Sequence, residues 1–222
     1  MVLNAVLGDY IPFLLSGFLE TALLTAGGLA LGFVIGVALA FAEVFLPRWA
    51  GAPASAVEQV LRGIPLLVMF LLLYLGLPSF GIILSPEVAA VVGLGLRSGG
   101  YQSQIFRSAL GSIGVGQSEA ALSIGLGRFE AYREILLPQA LRISIPSWSN
   151  EFTVVLKDTS LAYSIGVSEI MARASNIIAL TLQPLQVYLI VAAVYLVATI
   201  IINRGMNSIY EKLKIPGLGG GA

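Results

Sequence analysis

Between Leu185 and Ile202 the chain runs for 18 residues without a charge, close to the length a helix needs to cross the hydrocarbon core of a bilayer. Such a stretch leaves few choices, because in lipid every backbone N–H and C=O must be satisfied inside the segment. A second run, Phe18 to Phe45, carries only Glu20 and Glu43, near its two ends where charge costs least. Within it Gly28, Gly32, Gly36 and Ala40 recur every fourth residue, which puts small side chains on one face for close helix contact. Of the 222 residues 57% are hydrophobic and 11% charged, against about 25% charged in soluble domains. The expectation is an all-α, polytopic membrane helical bundle. At about 20 residues per span, the length allows five or six spans and no sizeable soluble domain.

The remaining spans are less clean. A second span is expected over roughly Val57 to Leu77, with Arg62-Gly63-Ile64-Pro65 near its start, after a loop holding Pro47, Arg48 and Pro53. Ser85-Pro86-Glu87 reads as a helix start: serine as cap, proline at the first position, an acid in the first turn. It opens a third span, Glu87 to about Leu110, with Arg97 unusually near its middle. A fourth segment covers Ala140 to about Ile170, and Leu185–Ile202 is the fifth span. Residues 2–15 are apolar but interrupted by Asn4, Asp9 and Pro12, and suit an interfacial or oblique entry. One transmembrane domain over 1–215 is expected, followed by a flexible glycine-rich tail, 216–222.

Composition excludes several classes. With neither cysteine nor histidine, disulfides, thiolate or His metal sites and Ser-His chemistry are absent from the sequence. Zero net charge argues against a nucleic-acid partner. The N-terminus, MVLNAVLGDYIP, lacks the positive region of a cleaved signal peptide. Basic residues set the orientation. An outside N-terminus puts Arg48, Arg107, Arg128, Arg133, Arg142, Arg204, Lys212 and Lys214 at the cytoplasmic face, with Arg173 near an outer loop. Five spans with a cytoplasmic C-terminus satisfy this.

The most charged run is Gln117–Pro138, between the third and fourth spans. Ser118 can cap a short helix there, Glu119 complements its positive end and Gly125 can stop it. About two turns long, it is too short to stand alone in water and should dock on something. Ala120, Ala121 and Ile124 are expected to share the docking face. The alternative is a re-entrant or interfacial helix that packs only on its own spans.

Asn150 to Ser160 is polar where a membrane span is expected. An ionisable residue at mid-membrane costs about 2.5–3.5 kcal/mol on insertion scales. On a helix Ser147, Glu151 and Asp158 fall within about 40° of one another, a stripe suited to a water-filled path or a polar solute. Structural pairing is the competing account: Lys157 with Asp158, or Glu151 with Arg97 or Lys157.

The spacing in the loop is specific. Glu119-Ala120-Ala121, three residues, Gly125, nine residues, Ile135, one residue, Leu137-Pro138 resembles the signature loop of ABC importer permeases. The flanks resemble the polar amino-acid uptake subfamily: Tyr101, Ile105, Phe106 and Arg107 before the loop, and Gln139-Ala140-Leu141-Arg142, Pro146, Asn150 and Leu156-Lys157-Asp158-Thr159-Ser160-Leu161 after it. Gly17, Thr21 and Arg62-Gly63-Ile64-Pro65-Leu66 extend the likeness over about residues 15–212. The chain departs from that pattern at Arg97, where the family has a small or amide residue, and at Gln104, where it has glutamate.

The resemblance implies a type I importer subunit that carries amino acids, polar and conceivably cationic. Two permease subunits, identical or related, would form the path. The 117–138 loop would be a coupling helix seated on a cytoplasmic ATPase dimer, and an extracytoplasmic solute-binding protein would deliver the cargo. ATP and Mg would be bound by the ATPase; this chain has no phosphate loop and is not expected to be an enzyme or to hold a cofactor. The same resemblance implies that Asn150–Ser160 lines the path, with Glu151 and Asp158 on the solute. Arg97 could then take a substrate carboxylate or neutralise Glu151. An autonomous ion-coupled transporter and an intramembrane enzyme using Glu151, Lys157 and Asp158 are the rival readings; against the enzyme stands the lack of any paired nucleophile.

Overall fold

A computed structural model describes residues 10–214. Among them there are helices and no strands. In chain order they are α1 (Ile11–Leu15), α2 (Phe18–Phe45), α3 (Arg48–Gly63), α4 (Leu66–Leu71), α5 (Pro86–Ser112), α6 (Val115–Ser123), α7 (Arg128–Ala131), α8 (Leu137–Asp158), α9 (Ile170–Thr181) and α10 (Pro184–Leu213). Expectations for residues 2–9 and 216–222 fall outside the described residues.

The α2 and α5 helices pack along their length through small residues, as the four-residue repeat predicts. A Cβ on Gly28 would lie 2.7 Å from that of Leu94, and one on Gly36 2.7 Å from that of Gln102. Gly95 and Gly99 of α5 answer them, each meeting a side chain of α2, Leu31 and Ile35, at 2.6 Å. Without a hydrophobic force between helices in lipid, such meshing provides the van der Waals contact that holds them. Leu24, Phe70, Leu94 and Val155 complete the central core.

Ser85 does cap α5, its Oγ accepting from the Val88 N–H at 3.3 Å. The expected second span differs. Residues 48–63, partly read as a loop, form a helix with Pro53 inside it, and the chain then bends by 98° before Leu66. Pro65 has no N–H and confines Ile64 to an extended backbone (φ −80°, ψ 125°), so no straight helix can pass. The α3 helix is inverted in polarity. Trp49, Pro53, Ala56 and Val60 face outward, while Glu58, diametrically opposite on the helix, is buried.

Among the described residues two helical runs are long and apolar enough to cross a membrane, α1 with α2 (Ile11–Phe45) and α10 (Pro184–Leu213), with a third if the bent pair counts as one span. The other two expected spans, α5 and α8, are 27 and 22 residues long and do not qualify on apolarity, because they carry the ionisable groups described below. The fourth segment ends as helix at Asp158, passing into a 3-10 turn that Gly166 closes at φ +96°. Beyond the expected fifth span, Leu185–Ile202, α10 continues as helix to Leu213.

Candidate functional site

The polar stripe is built where α5 crosses α8. Arg97 forms an ion pair with Asp158. Neither is sealed from solvent: their side chains are 20% and 23% exposed. Glu151, two turns earlier on α8, is 5% exposed, and its Oε1 has no hydrogen-bond partner. Lys157, Ser147 and Asn150 are exposed on α8. Thus the pairings expected between Lys157 and Asp158, and between Glu151 and Arg97 or Lys157, are not those found among the described residues. Arg97 and Asp158 project from facing helices, whereas Lys157 points about 100° away from Asp158 around α8.

Below Arg97 lies the Tyr101 ring, 4.8 Å from the guanidinium carbon, and Arg62 stands over the same ring at 5.0 Å. Arg62 belongs to a second cluster that sequence reasoning missed. Its Nη1 is 2.9 Å from Glu58 Oε1, and Arg107 lies 3.4 Å from Glu58 Oε2 while also pairing with Glu43. Ser103 Oγ donates to Glu43 at 3.4 Å. Glu43, expected at a tolerant helix end, is in fact 5% exposed in its side chain. The i,i+4 spacing of Glu58 and Arg62 was a legible signal; the link to Glu43 and Arg107, far along the chain, was not.

Gln102 was also missed. Fully buried, it donates from Nε2 to Leu29 O (3.2 Å) and Ser98 Oγ (3.0 Å), and its Oε1 accepts from Trp148 Nε1 (2.8 Å). One amide therefore joins α2, α5 and α8.

In the loop, α6 forms over Val115–Ser123, but Ser118 is not its cap. Gly114 occupies that position without a side-chain bond, and Ser118 Oγ donates back to Val115 O at 2.8 Å. Gly125 does end the helix, at φ +88°, with Leu126 N–H reaching Ala121 O at 3.2 Å. The expected shared face of Ala120, Ala121 and Ile124 divides: Ala121 is 1% exposed, packed against its own chain, while Glu119, Ala120 and Ile124 are exposed. Residues 100° apart on a helix part company once one side meets protein. Tyr132 anchors the loop between Phe41 and Phe45, with ring centroids 5.2 and 4.3 Å away. Ile135 and Leu137 are half-buried and Pro138, in the first turn of α8, is exposed.

Residues 28–214 match the family described as binding-protein-dependent transport system inner membrane component. The chain belongs to that family. This inner membrane component is 46% identical over 158 residues, 68% of either chain, to the probable amino-acid permease protein YxeN of Bacillus subtilis. To the glutamine transport system permease protein GlnP of Escherichia coli it is 36% identical over 207 residues, covering 92% of this chain and 94% of that one. A solved structure described as an amino acid ABC transporter with histidines superposes with a TM-score of 0.85 at 31% identity, over 94% of this inner membrane component and 98% of that chain.

Proposed function

We propose that the chain is the membrane-spanning subunit of an ATP-driven amino-acid importer. What carries this reading is the 36% identity over 92% of the chain to a glutamine permease. In it, α6 with exposed Glu119, Ala120 and Ile124 docks on a cytoplasmic ATPase, and Ala121 and Gly125 fix its shape. Ile135, Leu137 and Pro138 hand the loop over to α8. The polar face of α8, with Ser147, Asn150, Glu151, Lys157 and Asp158, and Arg97 opposite, lines the path between two permease subunits, identical or related. The N-terminus lies outside and the C-terminus in the cytoplasm. A solute-binding protein presents the amino acid, and ATP and Mg reside in the ATPase chain.

Proteoliposomes test it with labelled glutamine as probe. The chain alone should give no uptake; addition of its ATPase, ATP and the solute-binding protein should give ATP-dependent uptake of glutamine or of a competing amino acid. Uptake driven by a proton or sodium gradient without ATPase would overturn the reading in favour of an ion-coupled carrier.

A further inference from the structure

Between the loop and the polar face of α8 stands a charge network that is not fully satisfied. Arg107 places one nitrogen, Nη1, between two carboxylates: it pairs with Glu43 Oε2 on α2 and lies 3.4 Å from Glu58 Oε2 on α3. That Glu58 oxygen is buried and has no hydrogen-bond partner, and the buried Nε of Arg62 has none either. Buried polar atoms left open require a reason, and the open oxygen is the one Arg107 would take on leaving Glu43.

Both ends of the network are anchored. Glu43 lies between Phe41 and Phe45, the two rings that hold Tyr132 of the loop. Glu58 holds Arg62 at 2.9 Å, and Arg62 shares the Tyr101 ring with Arg97, which pairs with Asp158 on α8. Gly100 admits this approach, since a Cβ there would meet Arg62 Cγ at 2.9 Å. The α3 helix can shift apart from α4, because the extended Ile64 and the missing N–H of Pro65 interrupt the helical hydrogen bonds between them.

Resting on the importer reading above, we propose that this network is a two-position switch linking the loop to the polar face of α8: Arg107 alternates between Glu43 and Glu58, and Tyr101 passes the resulting shift of α3 to Arg97. A push on the loop moves Tyr132 and, through Phe41 and Phe45, the end of α2 that carries Glu43. As Glu43 withdraws, Arg107 turns to Glu58, so neither position leaves the guanidinium without a carboxylate. Exchange between discrete pairings, rather than gradual deformation, is how packed interfaces switch. The Tyr101 ring attracts the guanidiniums of both Arg62 and Arg97, and so joins the two groups of ion pairs.

The test uses proteoliposomes holding the permease with its ATPase and solute-binding protein, an equimolar mixture of labelled L-amino acids, and uptake counted per ATP hydrolysed. Absence of ATP-dependent uptake by the unaltered complex would overturn the importer reading and this proposal together. Tyr101→Leu keeps both ion pairs but removes the ring. The assembled complex should still hydrolyse ATP, while uptake per ATP falls at least about fivefold, the low end of common coupling effects. Tyr101→Phe should keep the ratio. A role in folding alone would lower uptake and hydrolysis in proportion. An unchanged ratio in Tyr101→Leu therefore overturns the proposal and leaves the importer reading standing, as does an equal loss in Tyr101→Phe. Glu43→Gln and Glu58→Gln, nearly isosteric, bias Arg107 from opposite sides. In the absence of solute they should shift ATP hydrolysis in opposite directions, one above and one below the unaltered complex. Shifts of the same sign, or none, would show that Arg107 does not switch, and this pair decides the matter should Tyr101→Leu fail to assemble.

Discussion

At the scale of single residues, some buried polar groups each serve more than one partner, which makes their removal costly. Glu58 serves Arg62 and Arg107 together, so Glu58→Ala leaves Arg62 without its carboxylate while Arg107 keeps Glu43. The expected loss is about 3 kcal/mol, read as a lower unfolding midpoint in detergent; a midpoint unchanged within error would show the cluster to be incidental. Gln102→Leu keeps the volume but leaves the Trp148 indole N–H without its acceptor, with an expected cost of about 1–3 kcal/mol by the same measurement. Both residues sit in positions that a linear reading underrates. Glu58 lies in an amphipathic stretch, and Gln102 is one polar residue among many in α5.

At the scale of elements, the loop makes the sharpest distinction. Glu119 is exposed and Ala121 is buried, so the two should fail differently. Glu119→Arg should leave the thermal midpoint of the permease unchanged and abolish co-purification with the ATPase. Ala121→Asp places a charge inside the packed loop and should lower both. Equal behaviour of the two variants would mean that α6 does not dock through its outward face. Sequence alone carried the helix starts at Ser85-Pro86 and the stop at Gly125, because caps and stops are local chemistry. It carried the glycine face of α2, because a four-residue repeat has one meaning on a helix. The break at Ile64-Pro65 was written in the chain too, but the apolar run from Leu66 onward drew the expected span back across it. The partners of Arg97, Glu58 and Gln102 were not legible, since each depends on which helices come to lie side by side.

At the scale of the whole molecule, meshed glycines make α2 and α5 one body. The chain has no cysteine, so introduced thiols are the only ones present. A Cβ on Gly27 would lie 3.8 Å from the Val91 Cβ, within the range of disulfides. Gly27→Cys with Val91→Cys should therefore cross-link under mild oxidant, with ATP-dependent uptake retained. Uptake lost on oxidation and restored by reductant would show that the two helices slide during the cycle.

The hydrogen bond from Trp148 to Gln102 sits 11 residues from Leu137, where α8 leaves the loop, and 10 residues from Asp158, where it meets Arg97. At 1.5 Å per residue the two arms measure about 16 and 15 Å. If α8 tilts about that bond, it behaves as a balance beam with nearly equal arms. A push of a given size at the loop then returns at the ion pair at almost the same size and in the opposite direction, a mechanical ratio close to one.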